Sequence, residues 1–334
     1  MKGVKAKGLI PQTFIIVGGV VEGKHMKVIY GAENKHNFIK PTGVGLGNFD
    51  GLHVGHMALI DKLIKESEQS SLDSVVYTFS KHPENIIRKE LFTPLITSTR
   101  KKVELLERTR LNYLYFEKFD ETFSRMEPKE FVKDILVGRL NMKLAVAGFN
   151  YRFGYQGQGD TELLYKLGKE LGFTVIVIEP VMFGDEVVSS TKIRSYILDG
   201  DMEKVSAFLG RHYSVAGRVE KGKRIGNTIG FPTANIYPED YLVLPCNGVY
   251  ITKTLVDSKM YPSVTSVGYN PTFGGLDNIS VETYILDFER NIYGKEIEVF
   301  FISKLRDEIK FGSAEELINQ IENDVEITRK YFDI

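Results

Sequence analysis

One cysteine, Cys246, stands in 334 residues, so no internal disulfide can form and no cysteine cluster can hold a metal. A surplus of positive charge is missing too. The 43 Lys and Arg against 44 Asp and Glu leave a formal net charge of -1, which argues against a chain dedicated to nucleic acid by bulk electrostatics. Anionic ligands must then be met by local groups. Long apolar runs are absent as well: the stretch 9–21, preceded by Lys2, Lys5 and Lys7, is too short and too broken to span a bilayer, and no small-x-small cleavage pattern follows it. These absences fit a reducing cytoplasm and a protein that does not enter the membrane, and they leave an oligomer open. No Gly-Lys-Ser or Gly-Lys-Thr occurs, which excludes an ordinary P-loop.

What the chain does have is Gly47-Asn48-Phe49-Asp50-Gly51-Leu52-His53-Val54-Gly55-His56. Residues 42–46 before it are apolar and glycine-containing, as in a buried strand, and Leu59, Ile60, Leu63 and Ile64 after it are spaced for a helix. The motif therefore sits on a strand-to-helix turn. Its glycines let backbone approach a ligand, and the free amides of a helix start favour an anion. Two imidazoles on such a turn can donate to triphosphate oxygens where negative charge builds up during transfer at the α-phosphorus. The competing reading is a glycine-rich turn with two solvated histidines. The pattern resembles the His-x-Gly-His superfamily of nucleotidylyltransferases.

Downstream, strand-like segments at 74–79, 112–116, 143–147 and 173–178 alternate with helix-like ones at 99–108, 128–140 and 161–171. That alternation predicts a doubly wound parallel sheet, in which ligands bind beyond the carboxyl ends of the strands. The loops there carry Thr78-Phe79-Ser80-Lys81-His82-Pro83 and Gly148-Phe149-Asn150-Tyr151-Arg152-Phe153-Gly154. Further on, Ser189-Ser190-Thr191-Lys192-Ile193-Arg194 reads as a capped helix start whose hydroxyls, amides and guanidinium suit phosphates and departing pyrophosphate.

Together these motifs resemble the adenylyltransferase module of the bacterial bifunctional riboflavin kinase/FAD synthetase family, from about Met26 onward. By position, the resemblance implies that His53 and His56 stabilise the transferring phosphate. Gly47, Asn48, Phe49, Asp50, Ser190, Thr191 and Arg194 would hold ATP, with Asn48 and Asp50 ordering the loop. His82, Pro83, Asn150 and Arg152 would line the flavin side. Lys81, Asn150 and Tyr151 depart from the residues common there. Because the resemblance begins near Met26, residues 1–25 are expected to be an extension or the product of a mis-set start.

After residue 200 the pattern changes to short alternating strands at 213–219, 248–256, 263–267, 281–288 and 296–305, which predicts a small antiparallel barrel. A helix at 313–331 follows, with Leu317, Ile318, Ile321, Val325 and Ile327 on its apolar side. Domains are thus expected at 26–200 and 214–334, joined by a linker at 201–213. The densest motif is Gly226-Asn227-Thr228-Ile229-Gly230-Phe231-Pro232-Thr233-Ala234-Asn235. Thr233 and Asn235, two apart on an extended chain, can aim hard oxygens to one side, as magnesium prefers.

This part resembles riboflavin kinase. The resemblance implies that Thr233 and Asn235 hold Mg2+, that Gly222, Gly226, Gly230 and Pro232 lie over ATP, that Glu282 is the base for the ribityl hydroxyl, and that Arg306 lies near the flavin. Asn227 departs from the family's common arginine. The function expected is FMN formation from riboflavin and ATP in the barrel, then FAD and pyrophosphate from FMN and ATP in the first domain. Two other readings stay open at this level: a chain in which only one activity operates, and a non-catalytic flavin- or nucleotide-binding regulator.

Overall fold

Strand β2 (Thr42–Leu46) is buried along its whole length and sets the packing of the first layer. Val44 and Leu46 face one core. On the other side, a β-carbon at Gly43 would overlap Ser67 Oγ and one at Gly45 would come 2.9 Å from Leu63 Cδ2, so the two glycines let helix α1 (Val54–Gln69) lie directly on the strand. The computed structural model describes residues 26–31, 37–79, 93–220, 229–238, 241–269 and 279–334. The expected extension at 1–25 lies outside them.

Strands β1 (Lys27–Tyr30), β3 (Asp73–Phe79), β4 (Tyr113–Glu117), β5 (Met142–Gly148) and β6 (Thr174–Ile178) join β2 in one sheet. The order is β1-β4-β3-β2-β5-β6, with every pair parallel. Edge strand β1 has no counterpart among the expected strands, because four residues are too few to display alternation. Helices α1 and α2 (Thr99–Glu107) cover one face through Leu59, Ile60, Leu63 and Leu106. The segment Phe131–Arg139 and helix α3 (Thr161–Leu171) cover the other through Phe131, Ile135, Leu164 and Leu167. The helix expected at 128–140 starts as one α-turn, Pro128–Glu130, and then widens to π-helical winding. Strand order reverses between β2 and β5, which opens a crevice at their carboxyl ends.

A two-stranded ribbon, β7 (Met182–Phe183) with β8 (Glu186–Val187), leads to helix α4 (Ser190–Asp199). The segment expected as a linker is folded: Met202–Leu209 forms helix α5, with Met202, Val205, Phe208 and Leu209 buried. These side chains share one core with Ile96, Ile193 and Ile197 of the first domain and with Tyr213, Val215 and Phe301 of the barrel. Apolar contact therefore runs without a break across the joint.

Strands β9 (Tyr213–Glu220), β10 (Ala234–Pro238), β11 (Gly248–Val256), β12 (Lys259–Tyr269), β13 (Ile279–Ile285) and β14 (Glu296–Arg306) close into an antiparallel barrel in the order β10-β13-β12-β11-β14-β9. Inside it, the wholly buried hydroxyls of Thr252, Thr254, Ser263, Thr265 and Thr283 satisfy one another over 2.7 to 3.4 Å.

Helix α6 (Ala314–Phe332), capped by Ser313, closes the chain. Its buried positions are Asp324 and Thr328, whereas Ile327, expected on the apolar side, is 40% exposed. The reason is an ion pair. Arg306 at the end of β14 donates from Nε and Nη2 to the Asp324 carboxylate over 2.8 to 3.1 Å and draws that face inward. With Asp324 removed, a mostly buried guanidinium keeps its charge and loses its partner. Asp324→Ala is expected to cost about 3 kcal/mol of unfolding free energy in urea, and replacing both residues by apolar ones of similar size is expected to cost less.

Candidate functional site

The crevice where strand order reverses holds a cavity of about 450 Å³. Its lining comes from the turn after β2 (Gly47, Asn48, Phe49, Asp50, His53, His56), the loop after β5 (Asn150, Arg152) and the start of α4 (Ser190, Thr191, Arg194). The motifs name every one of these, although Gly47 and Arg194 lie 147 positions apart, and the fold brings them to one place. His82 and Pro83 lie outside the described residues.

The turn after β2 is strained and tightly held. Phe49 and Leu52, both without solvent exposure, adopt left-handed backbone at φ 47° and 42°, and Gly51 does so at 88°. Such conformations persist in bulky residues only where the surroundings over-determine them. Here they do. The Asn48 carbonyl accepts from Thr78 Oγ1 at 2.8 Å and from Lys102 Nζ at 3.0 Å. The Asp50 carboxylate accepts from the backbone N–H groups of Ile96 and Thr97 and from Arg194 Nη2 at 2.5 Å, while Ser190 Oγ donates to the Asp50 carbonyl. Arg194, expected on phosphate, thus has Nη2 on Asp50 and Nε on the Pro94 carbonyl at 2.8 Å, and its guanidinium still borders the cavity. Ser189 accepts from Lys192 N as the cap of α4, in the place where the sequence reads as a capped helix start.

His53 caps α1: its Nδ1 accepts from His56 N at 3.2 Å, which leaves Nε2 to carry the proton of the neutral ring. The two imidazoles stack at 3.6 Å between centroids. Burial, aided by the nearby Arg211 charge, lowers His53 from 6.5 to about 4. His56 is pulled well below its ordinary value by burial first and then by His53, Lys102 and Arg211. Both are therefore neutral donors at pH 7, not cations. His56 Nδ1 is buried and has no hydrogen-bond partner among the described residues.

A depressed histidine pKa also has a consequence for stability. Between about 4 and 6.5 the unfolded chain binds a proton at His53 that the folded chain does not, so stability is retained above 6.5 and falls as pH drops through that window. The urea midpoint should fall more steeply from pH 6.5 to 4 in the parent chain than in His53→Gln. Parallel curves would remove His53 from that slope.

In the barrel, the register sets Asn235 directly opposite Glu282, with Glu220 opposite Asn235 on the other side and Ser266 opposite Glu282. Directly opposed residues project from the same face of a sheet. Two residues predicted 47 positions apart are thereby neighbours, on the outer face, since Ile236, Val219 and Val281 fill the interior. Pro232 and Thr233 border a second cavity of about 210 Å³ at the barrel mouth, with Thr283, Phe288 and Arg290. Gly230 adopts left-handed backbone at φ 88° just before them. Gly222, Gly226 and Asn227 lie outside the described residues. Arg306, expected beside the flavin, is committed to Asp324 as described above. Among the described residues no group of three or more His, Cys, Asp or Glu side chains could hold a metal, and no helix is long and apolar enough to cross a membrane.

Comparison with known proteins matches two stretches of the chain separately. Residues 35–192 match the FAD synthetase family and residues 209–332 the riboflavin kinase family. A bifunctional riboflavin kinase/FMN adenylyltransferase of Listeria monocytogenes is 38% identical over 86% of this chain and 92% of its own. One from Buchnera aphidicola is 35% identical over 92% of this chain and 99% of its own. The chain belongs to the bifunctional riboflavin kinase/FMN adenylyltransferase family. A crystal structure described as a macrolide-efflux protein from Streptococcus pneumoniae shares the architecture, with a TM-score of 0.83 and 32% identity over 91% of this chain and 99% of that one. The efflux description is that protein's own.

Against this family's two-part plan, two cations escape the motif reading. Lys102 is 5% exposed on α2, and burial, partly offset by the Asp50 charge, lowers it to about 8. A lysine on an amphipathic helix ordinarily reads as solvated, so nothing local marks it. Arg211 follows the C-capping Gly210 and donates to the carbonyls of Gly51 and Leu52 at 2.6 and 2.9 Å. Only its glycine neighbour hints at a special position.

Proposed function

We propose that the chain makes FAD in two steps at separate sites, phosphorylating riboflavin at the barrel and adenylylating FMN in the crevice of the parallel sheet. The observation that carries this reading is the convergence on one cavity of the histidine turn and the α4 start. The adjacency of Asn235 and Glu282 on a different unit supplies the second site.

In the crevice, an oxygen of the FMN phosphate attacks the α-phosphorus of ATP and pyrophosphate departs. Neutral His53 and His56 donate hydrogen bonds to oxygens on which charge accumulates, and a donor fixed in advance costs no reorganisation at that moment. Thr191 and the N-terminal amides of α4 receive the outer phosphates, while the Ser190 hydroxyl, already donating to the Asp50 carbonyl, ties α4 to the histidine turn. Arg194 serves mainly by tying Asp50 to α4, with its remaining edge toward the nucleotide. Asn150 and Arg152 border the flavin side, and Arg152 is loosely paired with Asp160 at 3.5 Å.

At the barrel, Glu282 accepts the ribityl proton as that oxygen attacks the γ-phosphorus of ATP, and ADP leaves. Thr233 and Asn235 offer hard oxygens of the kind Mg2+ prefers, and they would hold an ion that arrives with ATP and retains waters. When bound, the ion neutralises phosphate charge. Arg306 acts by anchoring α6 to the end of β14. We place the protein in the cytoplasm, a reading supported by a chain whose single cysteine can form no internal disulfide.

Chromatography of products from riboflavin, ATP and magnesium, beside a reaction begun with FMN, tests the reading. FAD in both reactions is expected. FAD only from FMN, or FMN without FAD, would leave one of the two sites without its activity, and no product in either would remove both.

A further inference from the structure

The carbonyls gripped by Arg211 belong to the two residues immediately before His53. Nη2 lies 2.6 Å from Gly51 O and 3.4 Å from Thr97 Oγ1, and Nη1 lies 2.9 Å from Leu52 O and 3.2 Å from Leu209 O. Gly51 and Leu52 are two of the three left-handed positions of the turn, at φ 88° and 42°. Their peptide groups define where the first turn of α1 begins, and so where both imidazoles stand. One planar guanidinium reaches both carbonyls together, whereas a lysine ammonium offers a single compact point of attachment. The charges of Glu298 in the barrel and Glu104 in the first domain both act on Arg211, and Lys101 pairs with both. Leu95 pairs with the 241–243 segment through bonds from Leu95 N to Tyr241 O and from Val243 N to Leu95 O, each 2.8 Å, which fixes the joint further.

We propose that Arg211 is a positioning residue for adenylyl transfer, reaching over the domain joint to set the Gly51–Leu52 backbone and with it the placement of His53 and His56. Arg211 lies within residues 209–332, the stretch matched to riboflavin kinase, so the transferase site is completed by a residue of the other half. The two activities are thereby joined structurally although their chemistries are separate. Its charge adds to the effect of burial in keeping His53 neutral, with His56 as the other titrating ring in contact and Lys102 beyond it.

The inference rests on FAD synthesis in the first domain, and the full chain tests the two separately. If the parent chain makes no FAD from FMN, that reading fails. If it does, Arg211→Ala should lower turnover of FMN and ATP to FAD about 100-fold, the scale of loss from a small misplacement of catalytic groups, with KM for ATP changed less than about threefold. FMN formation from riboflavin in the same sample should stay within about twofold, which reports on intact folded protein. Arg211→Lys, which keeps the charge without the fork, should recover less than about a tenth of the lost rate. In Arg211→Gln, NMR titration should show the His53 pKa above that of the parent chain. Unchanged FAD turnover in Arg211→Ala, full turnover in Arg211→Lys, an unmoved His53 titration, or equal loss of both activities would each overturn the proposal.

Discussion

Glu282→Gln is expected to lower FMN formation from riboflavin about a thousandfold while FAD formation from supplied FMN continues at the parent rate. Glutamine keeps the length and shape of the side chain opposite Asn235 and loses only the ability to take a proton, so the change isolates base function from packing. Half-buried on the outer barrel face, Glu282 also has Ser266 opposite it on β12. The loss should stop short of complete inactivity, because phosphoryl transfer depends chiefly on positioning and on stabilisation of charge, which the variant retains. Initial rates by product chromatography decide it. A fall of less than about tenfold would remove Glu282 as the base, since general-base contributions begin near a hundredfold.

His56→Ala should do the converse, lowering FAD formation by about a hundred- to a thousandfold with FMN formation intact. The drop belongs in kcat, because a donor aimed at charge that develops during transfer contributes little to binding the ground state. Part of the loss will come through His53, which stacks on His56 at 3.6 Å and is left without that support. Phe49 packs against the same ring at 5.3 Å, so the left-handed turn is disturbed as well. Steady-state constants from FMN and ATP test this directly. A rise in KM with kcat unchanged would make His56 a binding group only, and equal loss of both activities would falsify the assignment of the two reactions to separate sites.

Much of this was legible along the chain for a simple physical reason. Repeating apolar positions report strand and helix because the period is a property of consecutive residues, and the four later strands of the sheet lie within two residues of their expected ends. The histidine turn and the Ser189–Arg194 segment are contiguous, so spacing alone places their groups at helix starts. Short elements escaped. Lys27–Tyr30 is too brief to show alternation, Ala234–Pro238 runs on directly from the Gly226–Asn235 motif and ends in a proline, and α5 sits between Gly200 and Gly210, which made eight helical residues look like a linker.

The amino-acid sequence by itself determined two domains of different architecture, the family, and most residues that border the first cavity, since each of these follows from local pattern and contiguous motif. Only the tertiary structure decided that Asn235 faces Glu282, that Arg306 is spent on Asp324, and that Lys102 and Arg211 support the histidine turn. Those contacts depend on strand register, and on side chains separated by up to 160 residues, as Arg211 is from Gly51. A cation's role is set by what burial and folding bring within hydrogen-bond reach, and no spacing along the chain encodes that distance.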